Sequence, residues 1–384
     1  MAIYAYSFVN KKRDLSDILS TVVKDEPRFI SNFKTVADGS AQKHEWLEDQ
    51  IVGRSVTVSN ITGNTVTATA ADIAKLKLGT LLVIQNDSAL FRVTALDASS
   101  FTLELAGANG SAVDMPQNGS VLNIVSSPMA EGSNNGEGED TSHFSSSNYN
   151  YMQIFRKDIV LTGTAMAVNV YGSIDNQINR QTAFALGEMA RDLNRVALFG
   201  VRREPDAAVR GEAGGLYNFA VGTDAMHIDA NGIALDSFMI NDAAQNILSE
   251  GGEPMQILCS PGQARVLSNE YKPSLQVLRS DERRGAYVAT IINEISGRGM
   301  TIMADPDVPD TDVWVMDTTG LGLASLKGRA ISDADATPQG FDGIKRMAIG
   351  ELTFEFKNAK QRLCRIHGVL PSTEALKALR NTAE

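Results

Sequence analysis

The side chains that could carry out chemistry are scattered along this chain. His44 and Glu45 begin like the zinc-binding pattern His-Glu-x-x-His, but position 48 is Glu48, so the second histidine ligand is missing. The other histidines stand singly, as His143, His227 and His367. The chain has no Cys-x-x-Cys pair, no Gly-x-Ser-x-Gly elbow and no Gly-x4-Gly-Lys-Ser/Thr phosphate loop. These motifs therefore predict neither an enzyme nor a bound cofactor.

Two groups of carboxylates are the remaining chemical candidates. The stretch 128–150 has no Lys or Arg and four acids, Glu131, Glu137, Glu139 and Asp140, among Gly, Ser and Asn. Their intervals are not those of a calcium loop, so a flexible acidic loop is favoured over a metal site. Asp305 and Asp307 lie beside Pro306 and Pro309, where a turn explains them. A hydrolase that uses Asp305 or Glu131 is the enzymatic alternative.

Composition excludes several classes of protein. The chain has 384 residues, a hydrophobic fraction of 43% and a mean hydropathy of -0.12, which are typical of a soluble globular protein. No apolar run approaches the ~18 residues of a membrane span, and the N-terminal residues do not read as a signal peptide. We therefore expect folding in a cytoplasm, with Cys259 and Cys364 as buried free thiols. The net charge of -11 argues against broad electrostatic binding of nucleic acid.

One strand and one long helix dominate the chain. Residues 149–164 interleave apolar with polar residues like a strand, and Ser173 is a good helix N-cap. From there to Arg203 the apolar residues recur every three or four positions, as Ile174, Ile178, Ala185, Met189, Leu193 and Val196. This spacing predicts an amphipathic helix over 173–203, about 45 Å long at 1.5 Å per residue. The alternative, a coiled-coil arm, lacks a sustained heptad.

The remaining segments differ in character. Residues 1–40 have too few apolar side chains for a core of their own, whereas 53–127 contain five or six short strands that predict a small barrel or sandwich. A second helix is expected over 235–250, with Asp236 as its N-cap. The strand over 346–356 is expected to pair with a strand over 361–368. Helices that interleave with largely antiparallel strands indicate the α+β class.

Several short motifs occur in a fixed order along the chain. They are Arg13-Asp14-Leu15-Ser16-Asp17, Lys43-His44-Glu45-Trp46, Ala130-Glu131-Gly132-Ser133, Gln153-Ile154-Phe155-Arg156-Lys157, Leu258-Cys259-Ser260-Pro261-Gly262 and the closing stretch 351–359. Their order resembles that of tailed-phage major capsid proteins with the Hong Kong 97-type fold, and more narrowly the podophage-type major head proteins. The resemblance covers nearly the whole chain except residues 53–127.

The resemblance implies a role for each segment. Residues 1–40 would form an N-terminal arm, and 41–52 with 128–165 the two limbs of an extended loop. Residues 53–127 would be an inserted small β domain. Residues 166–219 and 341–384 would form the peripheral domain, with its spine helix at 173–203, and 220–340 the axial domain.

The function that the resemblance implies is that of a structural major capsid protein. It would assemble in the host cytoplasm into hexamers and pentamers of an icosahedral head around double-stranded DNA, which it would contact without sequence preference. Portal and scaffold proteins, and in some relatives decoration proteins, would be its other partners, and no membrane is involved. The side chains expected at subunit interfaces are Lys11, Arg13, Phe29, Phe33, Trp46, Glu131, Phe155, Arg156, Lys157, Arg283 and Arg284. The alternative is a β-rich tail or surface-binding protein whose insert recognises a partner.

Overall fold

The computed structural model describes residues 27–49, 53–84, 89–107, 115–129, 131, 145–168, 177–221, 226–270 and 289–382. The chain divides into two compact units, one of Met1–Glu48 with Ser147–Glu384 and one of Asp49–Ser146. Among the residues described, no helix is both long and apolar enough to cross a membrane.

The secondary-structure elements are numbered in chain order. The strands are β1 Lys34–Thr35, β2 Lys43–Glu48, β3 Ser55–Thr57, β4 Asn60–Thr62, β5 Thr65–Thr67, β6 Leu81–Ile84, β7 Leu90–Leu96, β8 Ser100–Gly107, β9 Val121–Ser126, β10 Ser146–Tyr151, β11 Gln153–Thr162, β12 Met226–Asp229, β13 Gln256–Cys259, β14 Thr290–Ile292, β15 Gly299–Ala304, β16 Val313–Met316, β17 Leu321–Ser325, β18 Ser332–Asp335, β19 Gly343–Phe356 and β20 Leu363–His367. The helices are α1 Ala70–Ile73, α2 Gly163–Ala167, α3 Gln177–Phe199, α4 Leu216–Phe219, α5 Ser237–Ser249, α6 Pro261–Glu270, α7 Ala359–Arg362 and α8 Ser372–Thr382.

The larger unit is built on two principal sheets. The first has the strand order β1-β17-β19-β11, with β18 also paired to β19. The second has the order β12-β20-β16-β13-β15-β14 and mixes parallel with antiparallel pairs, which agrees with the expected α+β class. Strands β2 and β10 form a separate two-stranded sheet, which we call the ribbon.

The long helix α3 covers one face of the first sheet. Its Met189, Leu193 and Ala197 are buried in the same core as Phe155 of β11 and Phe354 of β19. A second core lies between the six-stranded sheet and helices α5 and α6. The apolar face predicted for the long helix is therefore its packed face, because residues three and four apart share one side.

The smaller unit is a seven-stranded antiparallel sheet in the order β3-β9-β6-β7-β8-β5-β4. It has its own apolar core, which includes Val66, Leu82, Phe91 and Leu103. Only Val58 and Ser59 separate β3 from β4, although these strands stand at opposite ends of the strand order. The backbone N–H of Val58 donates to Ser120 at 2.9 Å and that of Ser59 to Thr67 at 2.9 Å.

The structure differs from the sequence expectations at two places. Helix α3 ends at Phe199 rather than 203: the carbonyl oxygen of Gly200 accepts the N–H of Gly215 at 2.8 Å, and the close approach to the carbonyl oxygen of Ala213 leaves room only for a glycine at position 200. Its predicted start at 173 lies outside the described residues. The expected pairing of 346–356 with 361–368 is wrong: β19 pairs with β11, β17 and β18, whereas β20 pairs with β12 and β16.

Candidate assembly surfaces

One buried carboxylate holds the backbone at Arg28 and Phe29. Oδ2 of Asp305 accepts the backbone N–H groups of Arg28 at 3.0 Å and Phe29 at 2.8 Å, and the side-chain amide of Asn194 at 3.1 Å. Asn194 lies on α3, and its Oδ1 accepts the N–H of Ile30 at 3.0 Å. This Asp305–Asn194 clamp satisfies N–H groups at the start of a 3-10 helix, Phe29–Asn32, which nothing else would pair.

Four aromatic residues expected at subunit interfaces pack against this chain's own core. Phe29 is fully buried, and Phe33 packs edge-on against Phe29 and Phe354 with ring centroids 5.2 and 5.3 Å apart. Trp46 is buried beside Phe219, and Phe155 lies under α3. In this structure all four stabilise the fold of a single subunit, because an apolar side chain of this size gains most when it is removed from water.

The root of the ribbon is fixed by a buried asparagine. Asn150 is fully buried, and its Nδ2 donates to the carbonyl oxygens of Gly214 at 3.0 Å and Phe354 at 2.8 Å. Its Oδ1 accepts the N–H of Gly214 at 2.8 Å and that of Tyr151 at 2.9 Å. Both donors and the acceptor oxygen of this amide are used, so the side chain of Asn150 holds the ribbon in a fixed position against β19.

Arg202 supports the ribbon from the side. Its guanidinium lies 4.7 Å from the ring centre of Tyr149 and 4.8 Å from that of Phe219. It also donates to the carbonyl oxygen of Tyr149 at 3.0 Å and to Asn218 at 3.1 Å. One arginine thus joins the ribbon to α4 through stacking and hydrogen bonds together.

A histidine–carboxylate pair links the ribbon to the first sheet. Nε2 of His44 lies 2.5 Å from Oε1 of Glu355, and Nζ of Lys357 lies 2.9 Å from Oε2. Burial alone would raise the pKa of Glu355, but the hydrogen bonds from His44 and Lys357 outweigh it and leave that pKa below its ordinary value. The three side chains line a cavity of about 350 Å³ beside residues 36–41.

The two basic residues of β11 point to opposite faces of its sheet. Lys157 faces α3, where its Nζ lies 2.6 Å from Asp192. Arg156 lies on the other face and donates to Asp158 at 2.7 and 3.0 Å. Hydrogen bonds from Arg156 and then Lys345 hold the pKa of Asp158 below its ordinary value. Of these expected interface residues, Arg156 is exposed and Lys157 is engaged within the subunit.

Of the other expected interface residues, Glu131 is exposed in the smaller unit, whereas Lys11, Arg13, Arg283 and Arg284 lie outside the described residues. Sequence reasoning missed the roles of Asn150, Arg202 and Asp305. The only signal for such a role in the sequence is a polar residue next to a run of apolar residues, and that pattern does not reveal which group the polar residue binds.

No metal or thiol chemistry stands out in the described part of the chain. No three His, Cys, Asp or Glu side chains there are grouped to hold a metal ion. Cys259 and Cys364 are free and buried, as expected, and burial raises the pKa of each thiol to about 12. Asp305, one of the two acids considered for hydrolysis, accepts backbone N–H groups and the amide of Asn194, and Glu131, the other, is exposed in the smaller unit.

The fold matches that of known capsid chains. The Cyanophage A-1(L) capsid asymmetric unit is 12% identical, with 94% of this chain and 97% of that chain covered and a TM-score of 0.57. The capsid of an empty GTA particle is 8% identical, with 96% and 100% covered and a TM-score of 0.52. The capsid of the native GTA particle gives 8% identity, 95% and 97% coverage, and a TM-score of 0.50. The larger architecture is therefore the Hong Kong 97-type capsid fold.

The family is defined by the sequence itself. The profile of the SU10 major capsid protein family matches residues 2–370, and the chain belongs to that family. A comparison with curated protein sequences finds no match. Family membership makes this a structural protein of the virion capsid that forms the icosahedral head, and the expected resemblance to tailed-phage major capsid proteins is confirmed.

Proposed function

We propose that this protein builds its shell through hexamers and pentamers in which each subunit's ribbon reaches a neighbour. The observation that carries the proposal is the ribbon itself. Asn150 and Arg202 fix one end of the ribbon to the rest of the larger unit, yet the side chain of Leu47 on β2 is 74% exposed. An isolated two-stranded sheet is marginal in water, so the ribbon gains stability by lying on another subunit. A repeated contact of that kind, between unlike surfaces, closes rings.

The segments take the roles that the resemblance implies. Residues 1–40 act as the arm, 41–52 and 128–165 as the extended loop, and 166–219 with 341–384 as the peripheral domain around α3. Residues 220–340 act as the axial domain and supply five of the six strands of the six-stranded sheet, whereas β20 comes from 341–384 and β17 and β18 belong to the first sheet. The clamp at Asp305 supports the arm assignment, because it ties the backbone at Arg28 and Phe29, in the second half of the arm, to the larger unit.

Residues 53–127 form an inserted small β-barrel in this proposal. The support is the strand order: the short link through Val58 and Ser59 requires the two ends of the seven-stranded sheet to come together. Closing a sheet removes its exposed edges, which suits a domain that must not pair with other strands. A free-standing core of its own agrees with a self-contained insert.

The partners follow from the same role. Packaged double-stranded DNA meets the shell by weak contacts without sequence preference, in agreement with the net charge of -11. Portal and scaffold proteins, and a decoration protein as a further partner, complete the head, which assembles in the host cytoplasm without a membrane step. In this proposal the protein is a shell component and not an enzyme, since Asp305, one of its two acidic candidates, is occupied in the clamp.

The test is the mass and shape of the particles that the full chain forms. The purified protein, alone and co-produced with the other head proteins, is examined by sedimentation and negative-stain electron microscopy. Closed shells, tubes or rings of megadalton mass support the proposal. A small oligomer of fixed size in both preparations contradicts it.

A further inference from the structure

Helix α8 is fixed against α6 by one carboxylate. Oδ2 of Asp310 accepts the backbone N–H of Ser372, the first residue of α8, at 2.6 Å, and Oδ1 accepts the hydroxyl of Ser260, which caps α6. A side chain at Gly262 would collide with Ser372, so only a glycine allows the two helices to approach this closely. Helix α8 begins beyond residues 2–370, which match the family profile, and family membership therefore assigns it no role. Its exposed side chains are held ready for a partner, because the helix that carries them is already ordered.

The exposed side of α6 and α8 is basic. Arg265 is exposed on α6, and Lys377 and Arg380 are exposed on α8. We call these three residues the basic surface. Within the part of the chain that the structure describes, none of them forms an ion pair. Glu374 is the only acid of α8, so the cations are in excess on this surface.

The exposed side of α5 is acidic and aromatic. Residues 226–264 contain five acids and no Lys or Arg. Phe238 and Asp242, which we call the α5 surface, stand four positions apart and so share one side of the helix. Phe238 is 74% exposed, and Asp242 is exposed and forms no ion pair with any described residue. A ring and a carboxylate in this arrangement suit a guanidinium group, which can lie over the ring and donate to the carboxylate.

We infer that the α5 surface of one subunit binds the basic surface of a second copy of this chain. The opposite charges attract, and Arg380 with its guanidinium over Phe238 would pair with Asp242. The chain supplies both surfaces in equal number, so a ring of identical subunits pairs every copy without another protein. This inference rests on the proposed function and adds a second contact, besides that of the ribbon, to the hexamers and pentamers.

The positions of the two surfaces suit a contact between neighbours. Helix α5 packs on β12, β20 and β16, whereas α6, which carries α8, packs on β13 and β15. The two surfaces therefore lie over different strands of the six-stranded sheet, and unlike surfaces of identical chains join in rings. Exposed charges are screened by salt, so the contact should weaken as the salt concentration rises.

The first test is a charge exchange in the full chain, co-produced with the other head proteins. Asp242→Arg should lower the yield of assembled particles about tenfold, and so should Arg380→Asp, because each substitution brings like charges together. The two substitutions combined should restore the yield, because the charges are again complementary. Arg210→Asp, at an exposed arginine in the loop after α3, is the matched control and should assemble normally. Circular dichroism of each purified variant checks that it folds.

The second test is a covalent link. Phe238→Cys with Lys377→Cys should give disulfide-linked chains longer than a dimer on a non-reducing gel, because each subunit then joins two different neighbours. Cys259 and Cys364 are buried and will not interfere.

The outcomes separate the inference from the proposed function. If the unmodified chain assembles but neither charge reversal lowers the yield and no ladder forms, the inference is overturned and the proposed function stands. If the reversals lower the yield and their combination does not restore it, another head protein occupies one of the surfaces and the inference is overturned as well. If the unmodified chain forms no particles even with the other head proteins, the proposed function itself fails.

Discussion

The clamp at Asp305 makes a quantitative prediction. Asp305→Ala removes the acceptor of four N–H groups, those of Arg28, Phe29, Asp307 and the side chain of Asn194. A buried donor left without a partner costs about 1–3 kcal/mol, and the N–H of Phe29 is such a buried donor, whereas the amide of Asn194 keeps its bond to Asp307. We therefore expect the free energy of unfolding to fall by about 3–5 kcal/mol, since such losses do not add fully.

Asp305→Asn separates acceptor geometry from charge. Its amide oxygen can occupy the place of Oδ2 and keep three bonds, while its NH2 group faces the N–H of Asp307 and loses one. The expected loss is about 1–3 kcal/mol, clearly smaller than for alanine. Asp242→Ala on the exposed side of α5 is the control and should leave stability close to that of the unmodified chain.

The assays are urea unfolding of the unassembled protein and limited trypsin digestion. Loss of the clamp frees the backbone beside Arg28, so trypsin should cleave there faster in Asp305→Ala than in the control. Equal unfolding midpoints for Asp305→Ala and the unmodified chain would refute the reasoning. So would an Asn variant as unstable as the Ala variant, because charge and not hydrogen-bond number would then decide.

Three further predictions concern the ribbon and the thiols. Asn150→Ala should lower the free energy of unfolding by about 2–4 kcal/mol, measured by urea unfolding. The reason is that the backbone groups of Gly214 and Phe354 that now bond the Asn150 amide would lose a hydrogen-bond partner. The pKa of Glu355 is lowered in the fold, so its pair with His44 stabilises the protein above the ordinary carboxyl pKa of 4.5 and less as pH falls through the folded value. Unfolding midpoints between about pH 6 and about pH 3 should therefore fall more steeply in the unmodified chain than in Glu355→Gln. Cys259 and Cys364 should not react with a thiol reagent at about pH 8 until urea unfolds the chain, since burial raises each thiol pKa to about 12.

Local sequence patterns predicted several helices of the fold. Helix α5 begins after Asp236, whose carboxylate accepts the N–H of Met239, and α6 begins at Pro261 after Ser260, as the capping signals predicted. The periodicity of α3 identified Ala185, Met189 and Leu193 as buried, whereas Ile178 and Val196 are only partly buried and the fully buried Ala197 and Leu198 were missed. These elements were predictable because caps and periodicity depend only on neighbours within a few positions.

Long-range contacts account for what sequence reasoning missed. Nothing local showed that β19 is buried on both faces near its end, where Glu355 and Phe356 are both buried. Asn358 then adopts a left-handed conformation at φ 50, and α7 carries the chain to the other sheet, which removes the expected hairpin. The end of α3 depends likewise on Gly200 meeting the backbone at Ala213.

The same limit applies to the candidate interface. Phe29 in the arm and Trp46 in the extended loop were expected to contact a neighbour, yet both are buried in their own subunit, where Asp305 binds the backbone of Phe29 and Phe219 packs against Trp46. The buried face of β11 could not be identified from the sequence of β11 alone, since alternation there does not say which side a helix covers. Only the register with β19 and the position of α3 decide it.

The most direct measurement is a cryo-electron microscopy reconstruction of the particle that contains this chain. The account predicts a closed icosahedral shell of hexamers and pentamers, in which density from a neighbouring subunit covers Leu47 on the ribbon. A shell of this chain with Leu47 open to solvent would contradict the proposed ribbon contact. Particles in which the chain forms a tail or a separate surface structure would contradict the account as a whole.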